Sequence, residues 1–230
     1  MKAILRLAAC LFLTTLSGLV ASAQNNGAQK IGPSAVWKMP DSFRTAVLKK
    51  CGDATQPPSF AECFITQMQQ GGAPPEAVAF AREVYKASDG DVGIMYGFHK
   101  VGPVDIAWIN YPLRANTNDG LLFVNGQPRI LNVEDLKLLD QTTMQQDPQF
   151  QNTKAQFPNT TVWPGDRDGT TWPNSQPGPN GGVQFTVGYP LINGCHACER
   201  VGFAMFNWNF GPQGKFLGTT YIGMTPPPVQ

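Results

Sequence analysis

Charge is scarce in this sequence. Lys and Arg number 17 against 16 Asp and Glu in 230 residues, a formal net charge of +1. Without a basic surplus there is no electrostatic footprint for nucleic acid or an anionic membrane surface, and neither is expected as a partner. Histidine is scarcer still, with only His99 and His196, which leaves little for an imidazole-based metal centre. Catalytic signatures are also missing. There is no Gly-rich phosphate loop, no G-x-S-x-G, no triad pattern, no paired-carboxylate motif and no complete set of metal ligands. No cofactor or metal is expected on these grounds. The absences weaken enzymatic readings without removing them, because catalytic groups usually meet in space rather than in sequence.

Long apolar runs are confined to the start of the chain. Met1, Lys2 and Arg6 give a short basic opening, Leu7 to Val20 is almost wholly apolar, and Ala21-Ser22-Ala23 supplies small residues before Gln24. This is the three-part pattern of a cleavable secretory signal over residues 1–23. The run is short of the roughly 20 residues a membrane helix needs, so no integral membrane segment is expected after cleavage. Leu7-Ala8-Ala9-Cys10 fits a lipoprotein box, but most of the apolar run follows Cys10. A signal cut there would lack its hydrophobic centre. The expected location is therefore periplasmic or secreted.

Four cysteines remain beyond the signal: Cys51, Cys63, Cys195 and Cys198. An even count in an oxidising compartment predicts two disulfides, although four cysteines permit three pairings. A Cys51–Cys63 bridge would clamp two helices. Cys195-His196-Ala197-Cys198 is chemically versatile and reads first as a structural disulfide. A redox reading would favour Cys195 at a helix N-terminus, where the helix dipole stabilises a thiolate. The motif instead follows Asn193-Gly194 and precedes a strand-like run. A c-type haem would need His directly after the second Cys, where Glu199 stands. A zinc site would have to gather Cys195 and Cys198 with His196 or His99 and with Cys51 or Cys63.

The patterning predicts α+β, with N-terminal helices packed on a mainly antiparallel twisted sheet. Residues 24–39 read as a flexible lead-in and 40–226 as a single domain of ordinary size. Three helices are expected. The first spans Asp41 to Cys51, with Phe43, Val47, Leu48 and Cys51 on one face. The second starts at Ser59, with Glu62 completing a capping box. The third opens at Pro75. Alternation then predicts strands around 92–98, 104–108, 121–124 and 130–133, with Asn125-Gly126 as a hairpin turn and Pro128 marking an edge strand. A short helix is expected from about Glu134 to Gln141. Residues 142–182, dominated by Gln, Asn, Thr, Pro and Gly, read as a long polar loop. Strands return at 183–187, 200–210 and 216–224. On the 201–210 strand, Phe206, Trp208 and Phe210 share one face with Ala204, and Phe203 lies on the other.

Candidate sites outside the cysteines are few. Trp163 and Trp172, in the near-repeats Thr161-Val162-Trp163-Pro164 and Thr170-Thr171-Trp172-Pro173, could form a saccharide- or peptide-binding surface or could pin the loop. Trp108 reads as core. Asp166-Arg167-Asp168-Gly169 has the look of a calcium loop, but position twelve is Pro177 rather than Glu. His99 with a carboxylate such as Asp105 is the best dyad a hydrolase could use. The sequence thus reads as an exported, disulfide-stabilised, non-enzymatic binding protein for a protein, peptide or saccharide ligand. The alternatives are a thiol–disulfide redox protein using Cys195 and Cys198, and a small extracellular hydrolase.

Overall fold

The computed structural model describes residues 29–52, 59–88, 90–115, 118–164, 173–195 and 197–226. The expected secretory signal and residues 24–28 of the expected lead-in lie outside these residues, whereas the rest of that lead-in, 29–39, is packed on the fold, with Ile31, Ala35 and Trp37 buried and the Trp37 N–H donating to the Met95 carbonyl at 2.9 Å. Three helices come first, as the periodicity predicts: α1 (Asp41–Cys51), α2 (Ser59–Gln70) and α3 (Pro75–Ala87). Gly52 ends α1, and Pro75 occupies the first turn of α3, where its missing N–H costs nothing. The α+β class read from the sequence is the class the structure has.

The strands divide between two antiparallel sheets rather than one. Strands β1 (Ile94–His99), β2 (Asp105–Asn110), β3 (Asp119–Val124) and β4 (Ile130–Asn132) form the first sheet in sequential order. The second contains β5 (Thr160–Val162), β6 (Asn174–Pro177), β7 (Val183–Asn193), β8 (Arg200–Phe210) and β9 (Phe216–Thr225). Its order is β5-β7-β8-β9, with β6 sharing the β5 edge of β7. Strand β4 is the edge strand that Pro128 announces.

Period-2 alternation explains the layering. Ile106, Trp108, Leu121 and Phe123 point from the first sheet toward Phe185, Val187, Tyr189, Phe206, Trp208 and Phe210 of the second. The alternate residues Met95, Ala107, Ile109, Leu122 and Val124 point the other way, onto Phe80 and Val84 of α3. Helices α1, α2 and α3 close a further cluster around Phe43, Phe64 and Met68. The result is helices on sheet on sheet. Phe123 is the centre of the inter-sheet core. Its ring stacks on Phe185 at 4.5 Å, meets Phe210 edge-on at 5.3 Å and lies 5.6 Å from Trp208.

Polar groups tie the layers at a few points. Asp105, only 3% exposed, accepts the Val101 N–H at 2.9 Å and the Asn125 side-chain amide at 2.7 Å. Asn125 also exchanges two 2.8 Å hydrogen bonds with the backbone of Ile31. A buried carboxylate is tolerable only when it is bonded in this way. The Tyr189 hydroxyl donates to the Val133 carbonyl at 2.7 Å, joining the second sheet to the segment after β4. Tyr111 lies in a slot where a Cβ on Gly93 or Gly120 would come within 3.0 Å of its ring, so those two positions must stay small.

Three local expectations are corrected. Asn125-Gly126 is not a two-residue hairpin turn. Only Asn125 has positive φ (68°), and the loop closes through its N–H to the Arg129 carbonyl at 2.9 Å. The longer loop frees Gln127 to bond Gly214 and Phe216 in the β8–β9 turn. The short helix expected over 134–141 is a single 3-10 turn, Leu136–Leu138. The segment 142–182 is not a structureless loop either. It contains α4 (Gln141–Gln146), α5 (Pro148–Gln156), β5 and β6. Asp140 and Asp147 cap the two helices, and Met144 and Phe150 drop into the inter-sheet core. Two anchors and two caps order a segment whose average composition is polar.

Cys51 and Cys63 are bridged, joining the end of α1 to the start of α2 across a sequence separation of 12. In the chain-entropy treatment, a loop of this size contributes about 3 kcal/mol. Cys195 and Cys198 form the second bridge. No described helix is long and apolar enough to cross a membrane.

Because Phe123 meets three rings of the opposite sheet, Phe123→Ala should destabilise the fold by about 3–5 kcal/mol. Urea unfolding followed by tryptophan fluorescence measures this. A loss below about 1 kcal/mol would mean that the sheets do not depend on this contact.

Candidate functional site

A broad cleft is built by the segment that sequence composition marks as loop. Asp140 accepts the Thr143 N–H at 3.2 Å and starts α4, and Asp147 accepts the Gln149 N–H at 2.8 Å and starts α5. Strand β9 holds both capping residues. The Asp140 N–H donates to the Thr219 hydroxyl at 2.8 Å, and that hydroxyl donates to the Leu138 carbonyl at 2.7 Å. The Tyr221 hydroxyl donates to Asp147 at 2.5 Å. The helices therefore reach from β9 at one edge of the second sheet toward β5 at the other.

Between α4, α5 and β5 lies a cleft of about 750 Å³. Its apolar wall is Leu136, Met144, Phe150 and Val162. Its polar groups are the amides of Gln141, Gln145 and Gln151, the hydroxyls of Thr160 and Thr161, and one cation, Lys154. The Gln151 amide donates to the Gln145 carbonyl and links the two helices. Thr160 is buried and bonds the Phe157 carbonyl at 2.7 Å. Among the described residues, no carboxylate, imidazole or thiol lines this space. It is equipped to hold a ligand by hydrogen bonds and apolar contact.

Protonation at the support is fixed by surroundings. Burial comes first for Tyr221, then the hydrogen bond to Asp147 and that residue's charge. Together they hold the phenol well above its usual range, so it remains a donor at neutral pH. For Asp140, burial alone would raise the pKa. The hydrogen bonds from Thr143 and the Tyr221 N–H outweigh it and hold the carboxyl below its ordinary value.

The residues singled out from sequence fall in several places. Val162 lines the cleft, while Trp163, next in the chain, is half-buried and donates its backbone N–H to Pro190 at 2.9 Å. Trp172, Asp166, Arg167, Asp168 and His196 lie outside the described residues. Trp108 is core. His99 is exposed at the end of β1, whereas Asp105 is buried and committed to Val101 and Asn125. That commitment leaves Asp105 poorly suited to orienting a base. Cys195 and Cys198 are bridged and exposed at the β7–β8 turn, and Cys51 and Cys63 are half-buried. These bridges consume the thiolates that the zinc reading required.

A second polar cluster flanks the first sheet. Arg114 bonds Asp91 and Glu134, both at 2.7 Å, and lies 3.7 Å over the Tyr111 ring. Burial, then the Glu134 charge, raises the Tyr111 phenol, and Arg114 pulls the other way. The cation is satisfied on both sides, and the arrangement is a brace.

No protein-family model, curated protein or solved structure matches this chain. The cleft must be read from its own chemistry. Sequence reasoning missed Gln141, Gln145, Lys154, Thr160 and Thr161 as a group. The available signal was local: Asp140 three residues before Thr143, and Asp147 directly before Pro148, are helix-start patterns.

Asp140→Ala should cost about 1 kcal/mol at pH 7, the usual loss of a helix cap. Because the folded carboxyl is held low, its contribution is present above the unfolded value of about 4 and disappears as pH falls through the folded value. Paired urea titrations at pH 7 and near pH 2 check this. A wild-type-to-variant gap that survives at the lower pH would show that the charge is not the source.

Proposed function

We propose that this is an exported, disulfide-braced binding protein that holds an uncharged ligand in the α4–α5–β5 cleft. The observation that carries the reading is the composition of that space: amides and hydroxyls over an apolar wall, with Lys154 as the one ionisable lining residue among the described residues. Such a lining matches a neutral molecule with hydroxyl or amide groups on one side and apolar carbon on the other. A short saccharide has that character, and an uncharged peptide is the next candidate. Among the described residues the lining has no acid–base pair to activate its threonine hydroxyls, which favours holding over turnover. Export is supported by the signal pattern of residues 1–23, and two bridges are compatible with an oxidising compartment. The mature chain begins near Gln24 in this reading.

The test is titration with a panel of neutral oligosaccharides and uncharged peptides, followed by amide NMR and tryptophan fluorescence. Trp163, next to Val162, is the expected fluorescent reporter. A member of the panel should give saturable shifts at Gln141, Gln145 and Thr161. Gln145→Ala combined with Thr161→Ala should weaken it roughly tenfold, the loss of one or two hydrogen bonds. Shifts confined to other surfaces, or a double variant that binds normally, would overturn the assignment.

A further inference from the structure

The two disulfides do different work. Cys51–Cys63 joins separate helices, and Cys51 packs against the helical core. Cys195–Cys198 spans a sequence separation of 3, and both residues are exposed. The chain reverses there by other means. The Cys198 N–H donates to the Cys195 carbonyl at 2.8 Å, the Asn193 N–H donates to Glu199 at 2.9 Å, and Gly194 takes a left-handed φ of 101°. A bridge over so short a loop constrains the unfolded chain far less than a long one. Both of its residues lie at the surface, where an external thiolate can approach.

The bridge closes the end of an irregular hairpin. The β7–β8 ladder shifts register between Leu191 and Ile192, which places Ile192 opposite Arg200. Beyond that irregularity, the end of the hairpin also carries β5. Thr160 pairs with Asn193, and the Gly194 N–H donates to the Asn159 carbonyl at 3.1 Å. Thr160 and Thr161 form part of the cleft wall.

We propose that Cys195–Cys198 is a thiol–disulfide exchange site for an external dithiol, and that its reduction loosens the anchorage of β5. One thiolate of the dithiol attacks a cysteine sulfur, the S–S bond breaks, and the other cysteine leaves as a thiolate that takes up a proton. The second thiolate of the dithiol then attacks the mixed disulfide and releases the first cysteine. The donor departs as a disulfide, and two electrons and two protons have passed to the protein. The exchange stands independently of the binding reading. Only its consequence for a ligand rests on the cleft.

The experiment uses the full chain under native conditions with graded dithiothreitol. Free thiols are trapped with N-ethylmaleimide and mapped by mass spectrometry, and hydrogen exchange is followed over residues 159–162. No ligand enters either readout, so failure of the binding reading leaves the result unaffected. Cys195 and Cys198 should be trapped at a dithiothreitol concentration roughly tenfold below that required for Cys51 and Cys63, with the far-ultraviolet circular dichroism unchanged. Exchange over 159–162 should rise about tenfold on reduction and return on reoxidation. Cys195→Ser combined with Cys198→Ser should show the fast exchange at all times. Joint reduction of both pairs, reduction only on unfolding, or unchanged exchange over 159–162 in the reduced protein or the double variant would overturn the proposal.

Discussion

The contact of Phe123 with Phe185, Trp208 and Phe210 is the constraint on which the rest of the molecule depends. Each of the two sheets has an apolar face that water would otherwise cover. Large rings meeting at stacked and edge-on angles bury that surface and also fix how the faces slide against one another. With the sheets locked, the opposite face of the first is free to receive α3, and the inner face of the second is free to receive α4 and α5. The helical layer on one side and the cleft on the other are separate consequences of one aromatic seam.

The fold was largely legible where the period of the apolar residues is clean. Alternation at Ile106 and Trp108, and at Phe206, Trp208 and Phe210, placed β2 and β8 with their core faces. Helical spacing placed α1 to α3. The division into two sheets was not legible, because alternation tells which side of a strand is buried and not which sheet contains it. The segment 142–182 was misread for a related reason. Its helices carry one core residue each, Met144 and Phe150, too few to produce a periodic signal.

The candidate site was the least legible part. Its groups are glutamine and threonine, residue types that also cover ordinary surfaces, and their meaning comes from position alone. Asp140 and Asp147 put the two helices where the amides converge, and Thr219 and Tyr221, far along the chain, hold the caps in place. A sequence read locally contains the caps but not the partners that aim them. The cysteines were the opposite case. Four residues of unmistakable chemistry were visible at once, and the structure supplied their pairing and very different surroundings.

The bond from the Gln127 N–H to the Gly214 carbonyl, with Phe216 donating back to Gln127, stitches the β3–β4 turn to the β8–β9 turn. That stitch lies at one end of β8, and the cysteine turn lies at the other. Mechanically, the sandwich is sewn at that end and again farther along, where the Tyr189 hydroxyl holds the Val133 carbonyl. Leu191 to Asn193, the stretch of β7 that carries β5, lies beyond both stitches, so β5 depends on its own pairing with those residues for its place at the edge.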